Sequence, residues 1–332
     1  MDDKDLKQEI EVLETSELGE VKRPAEYENM DITLRGKPKL TGGDILFYIL
    51  DYSFYIIFTL SCIFPFYYLF INTISDVDLV NKGAINFIPR GINFVNYKSV
   101  FGLKDLSNAL WVTVARTVLG TALMVVASGF VGYLVTKKEM WHRQFFYRFL
   151  LITMYFNAGL IPWYLNMNML GLTNHFSAYI IPGIVAPYNI ILVKTYIESI
   201  PSELEESAFI DGASFFTVFR KIIWPLSKPI LATIAIFGAV GHWNSFQDSL
   251  ILMQGAPKYK TLQHLLYEYM TRTTNAAQSM SASDPSAANK LAQNNLVVKY
   301  TISMVTIIPI LLVYPFMQRY FEEGIMLGAV KG

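Results

Sequence analysis

Long apolar blocks alternate with polar connections along this chain. Windows of about 20 or more residues with few charges recur at roughly 45–71, 109–135, 146–165, 177–197, 229–253 and 299–320. In lipid such runs must satisfy their backbone groups internally, so helices are expected. The pattern predicts an all-α membrane protein with six transmembrane helices: a polar tail over 1–44, then one transmembrane domain over 45–332. The third and fourth windows contain Asn157, Pro162, Pro182 and Pro187, and kinks are expected there.

The connections differ in character. Residues 72–108 hold Pro89, Gly91 and several aromatics, and the part from 76 to 106 reads as an ordered loop with short helices. Residues 254–298 are polar and fit either a flexible loop or a surface that meets a partner. The connection 198–228 is different. Pro201 and Ser202 read as a helix start, with Ser202 as cap and Glu205 three residues on, as in a capping box. Glu203, Glu205 and Glu206 suit the positive end of a helix. Gly212 permits a sharp bend. A second short helix over 213–223 presents Phe215, Phe216, Phe219, Ile222 and Ile223, and Pro225 and Pro229 close it. Helix, bend, helix at the membrane surface fits an interfacial connector. It also fits a docking element for a soluble partner.

Charge orients the pattern. With the N-terminus cytoplasmic, the inner segments carry about twice as many Lys and Arg residues as the outer ones, which favours N-in and C-in. The 198–228 connection then lies in the cytoplasm. The tail reads as cytoplasmic too, with no cleavable signal peptide. Net charge is zero, so no overall field draws nucleic acid. The single cysteine, Cys62, sits in an apolar run and reads as a packed thiol.

The chemistry of catalysis is missing. No phosphate loop of the GxxxxGK[ST] type occurs, so the chain is not expected to bind ATP, and it needs no cofactor of its own. The four histidines are scattered without metal-ligand spacing. An enzyme is therefore not expected, and neither is a metal site. Polarity inside the fifth window stands out instead: Trp243, Asn244, Gln247 and Asp248. On a continuous helix the last three share a face. Such groups at membrane depth either line a solute path or bond neighbouring helices. Asn157, Tyr188 and Asn189 are lesser path candidates, and Asn189 is also placed to satisfy carbonyls freed by Pro187. Arg116 is expected near the outer end of the second span, reaching for headgroups. A buried place opposite Asp248 is the alternative.

Several stretches resemble one family. Glu206-Ser207-Ala208, Gly212, Ile222 and Pro225 keep the spacing of the EAA loop of type I ABC importer permeases, with Ser207 in place of Ala and Trp224 in place of Leu. Asp211-Gly212-Ala213 is similar to the carbohydrate-uptake branch, as is Trp243-Asn244. FNAGLIPWYLNMNMLGLTN at 156–174 resembles the family's GGLIP…LGL segment, and YPFMQRYFEEGIMLGAVKG at 314–332 resembles the tail of that branch, in the complex-sugar group of Gram-positive type. The resemblance implies a permease in the bacterial cytoplasmic membrane. It implies a second homologous permease, two ATPase subunits that hold ATP and Mg, an external solute-binding protein and a sugar substrate. It casts Glu203, Glu205, Glu206, Ser207, Ala208, Asp211, Gly212 and Ala213 as the coupling helix between spans four and five. A permease for another solute, or an autonomous channel or carrier, is the rival reading.

Overall fold

In the computed structural model, which describes residues 41–103, 105–281 and 296–329, every regular element is helical. The polar tail expected over 1–44 therefore lies outside the described residues except at 41–44. Residues 1–63 and 64–332 form separate units, and the packing described here is that of the second.

Among the described residues, three helices are each long and apolar enough to cross a membrane: α1 (Gly42–Thr73), α4 (Leu106–Thr136) and the Leu296–Pro315 part of α13 (Leu296–Ala329). Two bent pairs raise that number to five. Between α1 and α4 lie two short helices, α2 (Val77–Asn81) and α3 (Val95–Phe101). The Asp76 carboxylate starts α2 by accepting from the N–H groups of Asp78 and Leu79 at 3.0 and 3.3 Å.

The remaining apolar windows are broken where their sequences oppose a continuous helix. The third divides into α5 (Arg143–Tyr155) and α6 (Leu160–Met169), and Gly159 between them has φ +87°. In the fourth, single turns at Phe176–Tyr179 and Ile181–Gly183 meet α7 (Pro187–Ile197) at 42°. Pro187 cannot donate to the preceding turn, so the bend falls there. The fifth divides into α10 (Lys228–Asn244) and α11 (Gln247–Leu252). The 198–228 connection holds α8 (Glu203–Ile210) and α9 (Phe215–Val218), and α9 continues through a π turn and Trp224–Leu226 to meet α10 at 77°. Part of 254–298 is helix, α12 (Leu262–Ser281), while 282–295 lie outside the described residues.

Helix α4 is the pillar, and α7 and α10 pack along it. Small residues allow the close approach. A Cβ at Gly129 would stand 2.6 Å from the Trp224 ring, and one at Gly132 would stand 2.9 Å from Val193. One core cluster joins Tyr133, Val193, Ile197, Val218, Phe219, Ile223 and Ile234. It carries α9 and the turn behind it into the same packing as the ends of α4 and α7.

Candidate functional site

The connection between α7 and α10 folds as a hairpin of short helices. Gly212 makes the reversal at φ +80°, a conformation costly to a residue with a Cβ. The Gly212 N–H donates to Phe209 O at 3.0 Å and the Ala213 N–H to Ala208 O at 2.9 Å. Phe209 and Phe215 meet edge to face across the turn, with centroids 4.9 Å apart. Ser214 begins α9, its hydroxyl accepting from the Thr217 N–H at 3.3 Å.

The expected capping box is corrected. Ser202 has helical dihedrals and its side chain caps nothing. Glu205 does not turn back to it, because Lys137, directly after α4, holds the Glu205 carboxylate in an ion pair. The same ammonium lies 4.4 Å from the Tyr133 ring centroid. A charge-assisted bond to a side chain outcompetes a weak local cap. The first helix is therefore tethered to the pillar.

The other coupling candidates divide by face. Ala208, Phe209 and Ala213 pack against the core cluster. Glu203, Glu206, Ser207, Asp211 and Gly212 are exposed. Glu203, Glu206, Ser207 and Ile210 are spaced three, four and seven apart and so share one face of α8. Ile210 is 86% exposed, so that outward face combines two carboxylates with a bare aliphatic side chain.

The second constellation lies at the break in the fifth window. The expected shared face of Asn244, Gln247 and Asp248 is corrected, because the helix stops at Asn244 and restarts at Gln247. Ser245 is extended, with ψ 131°. Asp248 stabilises the restart by accepting from the Ser249 N–H at 2.9 Å and the Ser245 hydroxyl at 3.0 Å. Arg116 fills the space beside it. Its guanidinium pairs with both carboxylate oxygens of Asp248, donates to Ser245 O at 3.2 Å and lies 4.6 Å from the Tyr179 ring centroid.

The headgroup expectation for Arg116 is thereby overturned, since its side chain is only 3% exposed. Ten residues from the start of α4, it lies about 15 Å along the helix. A charge there needs a partner and further bonds. The alternative, a buried place opposite Asp248, is the one the structure adopts, and its signal in the sequence was two opposite charges, each inside an apolar window.

A polar chain runs on from this pair. The Ser249 hydroxyl and His264 Nδ1 are 2.8 Å apart, and Glu268 bonds Lys260 at 2.6 Å. Thr113 on α4 accepts from the Leu262 N–H at 2.8 Å. These bonds fix the start of α12 to the pillar.

The remaining path candidates are dispersed. Trp243 is buried, and its indole N–H donates to Thr306 O at 3.0 Å on α13. Asn189 is buried, with its amide donating to the Met124 sulfur at 3.1 Å rather than to freed carbonyls. Asn157 is exposed and accepts from the Gly159 N–H at 2.9 Å. Tyr188 and Gln247 are exposed, and exposed Asn244 accepts from the Gln263 amide at 3.3 Å. Among the described residues, no group of three or more His, Cys, Asp or Glu side chains is placed to hold a metal ion.

Comparison with known proteins gives these parts a common setting. A polygalacturonan/rhamnogalacturonan transport system permease protein, YtcP of Bacillus subtilis (strain 168), is 33% identical over 287 residues, covering 86% of this chain and 99% of that protein. The arabinooligosaccharides transport system permease protein AraQ of Halalkalibacterium halodurans is 29% identical over 265 residues, covering 77% of this chain and 86% of that one. A crystal structure of a bacterial ABC transporter involved in import of the acidic polysaccharide alginate contains a chain that superposes with a TM-score of 0.75 at 30% identity, covering 86% of this chain and 99% of that one. Residues 125–326, which include the hairpin and the broken helix, match the family described as binding-protein-dependent transport system inner membrane component, and the chain belongs to that family.

Proposed function

We propose that this chain is the membrane-spanning permease subunit of an ATP-driven importer that passes a sugar or oligosaccharide from an external solute-binding protein to the cytoplasm. Family membership supplies the transport role and a multi-pass place in the bacterial inner membrane. The sugar reading rests on the relatives, which are named for transport of polygalacturonan/rhamnogalacturonan and arabinooligosaccharides. In this reading the chain crosses six times with both ends inside, pairs with a second permease and is driven by two ATPase subunits. ATP and Mg are held by those subunits, and the chain itself is not an enzyme.

One observation carries the coupling role. Helix α8 is fastened inward through Lys137 and Glu205 and presents Glu203, Glu206 and Ile210 outward. A connector that only lay on lipid would turn its apolar side to the membrane and its charges away from it. Here carboxylates and an aliphatic side chain share the free face, as on a surface that receives a protein partner. Movement of the ATPases would pass through the hairpin to α4, whose end it grips. The packed core makes that transfer a rigid-body one. Asn244, Gln247, Tyr188 and Asn157 are then the exposed polar groups available to sugar hydroxyls. Trp243, Asn189 and Asp248 serve the path by holding its walls.

The test is Glu206→Ala in the assembled complex. ATPase co-purification and binding-protein-stimulated ATP hydrolysis should each fall about tenfold, the effect of roughly 1.4 kcal/mol of lost docking. Abundance of the inserted chain should not change. Wild-type values for both readouts would remove the docking role.

A further inference from the structure

The connection after α4 and the first turns of α5 are strongly basic, with Lys137, Lys138, Arg143 and Arg148 within 12 residues. Two of these cations are engaged. Lys137 holds Glu205, while Arg143 donates from Nε to Val135 O at 2.7 Å and from Nη2 to Glu198 at 3.4 Å. Lys138 and Arg148 have no such partner among the described residues. Both are exposed, and both line one open concavity of about 600 Å³ together with Met140, His142 and Phe145. One carboxylate, that of exposed Glu139, is adjacent in sequence but is not part of that lining.

The position of Arg148 is the telling one. It lies five residues into α5, about 7.5 Å from the helix start, between the exposed apolar side chains Phe145, Phe149 and Ile152. A cation so placed in an apolar run is costly unless it reaches back to the interface and finds an anion. Sharing a concavity with Lys138 shows that it reaches back. Trp141, between the lining residues Met140 and His142 in sequence, is 76% exposed. Indole and phenyl rings beside cations are the composition of a protein surface at the headgroup level of a bilayer.

We propose that Lys138 and Arg148 form a binding site for the headgroup phosphate of an anionic phospholipid at this end of α4. The phosphate lies between the ammonium and the guanidinium, and Met140 and Phe145 border the glycerol and upper acyl chain. An acidic surface of a soluble partner fits less well, because Arg148 is flanked by the exposed apolar side chains of Phe145, Phe149 and Ile152, which suit acyl chains rather than an acidic protein face. The proposal rests on the membrane reading of α4 and α5 but not on the docking role of the hairpin.

The test uses the full chain in complex with its companion subunits, purified in mild detergent and offered phosphatidylglycerol and phosphatidylcholine in equal amounts. Native mass spectrometry of the wild type should show phosphatidylglycerol retained in preference. The double variant Lys138→Gln/Arg148→Gln should lose that retention by roughly fivefold per cation, with the ATPase subunits still present. The exchange Lys138→Arg/Arg148→Lys should keep it, and this arm decides the matter if the neutral variant fails to insert. Equal retention of the two lipids by the wild type would overturn the site. So would unchanged preference in the neutral variant, or loss of the ATPases with lipid preference intact. Displacement of the lipid by millimolar inorganic phosphate would also overturn it, by showing a site for free anion.

Discussion

Two ion pairs fasten other elements to α4, and their surroundings make them different devices. In Arg116–Asp248 the guanidinium is 3% exposed and backed by the Tyr179 ring, while the Asp248 carboxylate, at 17%, is the more accessible partner. Lys137–Glu205 lies at the helix end, with both side chains about 15% exposed. The deep pair joins α4 to a break in the fifth window. The shallow pair joins α4 to a helix whose opposite face, with Glu203, Glu206 and Ile210, is exposed. A buried charge left without its partner costs far more than one that water can reach. The deep pair therefore maintains the architecture, and the shallow pair sets the attachment of a part whose other side stays free.

The largest effect expected from breaking this contrast is at Asp248. Asp248→Ala leaves Arg116 charged and buried, and should destabilise the chain by about 3–5 kcal/mol. Thermal denaturation in detergent would show it as loss of the folded species. The double change Arg116→Met/Asp248→Leu removes both charges and should recover most of that stability. If the double variant were as unstable as the single one, bonding to Ser245 and Ser249 rather than charge burial would be the main contribution. An intermediate effect is expected at the hairpin. Gly212→Val puts a β-branched side chain at φ +80° and should cost about 1–2 kcal/mol locally. Proteolysis between α8 and α9 should accelerate while the fold of the rest persists. The smallest effect is at Lys137. Lys137→Met should lower global stability less than Asp248→Ala does, because Glu205 borders the exposed face of α8, where water can reach its carboxylate. Its consequence should instead be uncoupling, read as ATP hydrolysis that no longer responds to the binding protein. A large drop in stability with coupling intact would reverse the roles assigned to the two pairs.

Much of this was legible along the chain. The two long helices Gly42–Thr73 and Leu106–Thr136 follow from apolar runs that contain few charges, and the former tolerates Pro65. Pro187 marks a bend and Gly212 a reversal, because each restricts or frees its own backbone whatever its neighbours do. The helical hairpin between α7 and α10 was readable for the same reason. Ser202 misled, since a capping box is a local rule and Glu205 had a stronger partner 68 residues away in the chain.

What the chain determined alone was therefore its local chemistry: apolar length, backbone punctuation and the spacing that marks the family. What only the tertiary structure decided was pairing. Arg116 and Asp248 are 132 residues apart, and neither shows in its own window that the other will neutralise it. The same holds for which carboxylate of α8 turns inward and for which cations around the start of α5, Lys138 and Arg148, have no ion-pair partner among the described residues. Burial and dielectric surroundings set the worth of a charge, and they exist only once distant helices have packed together.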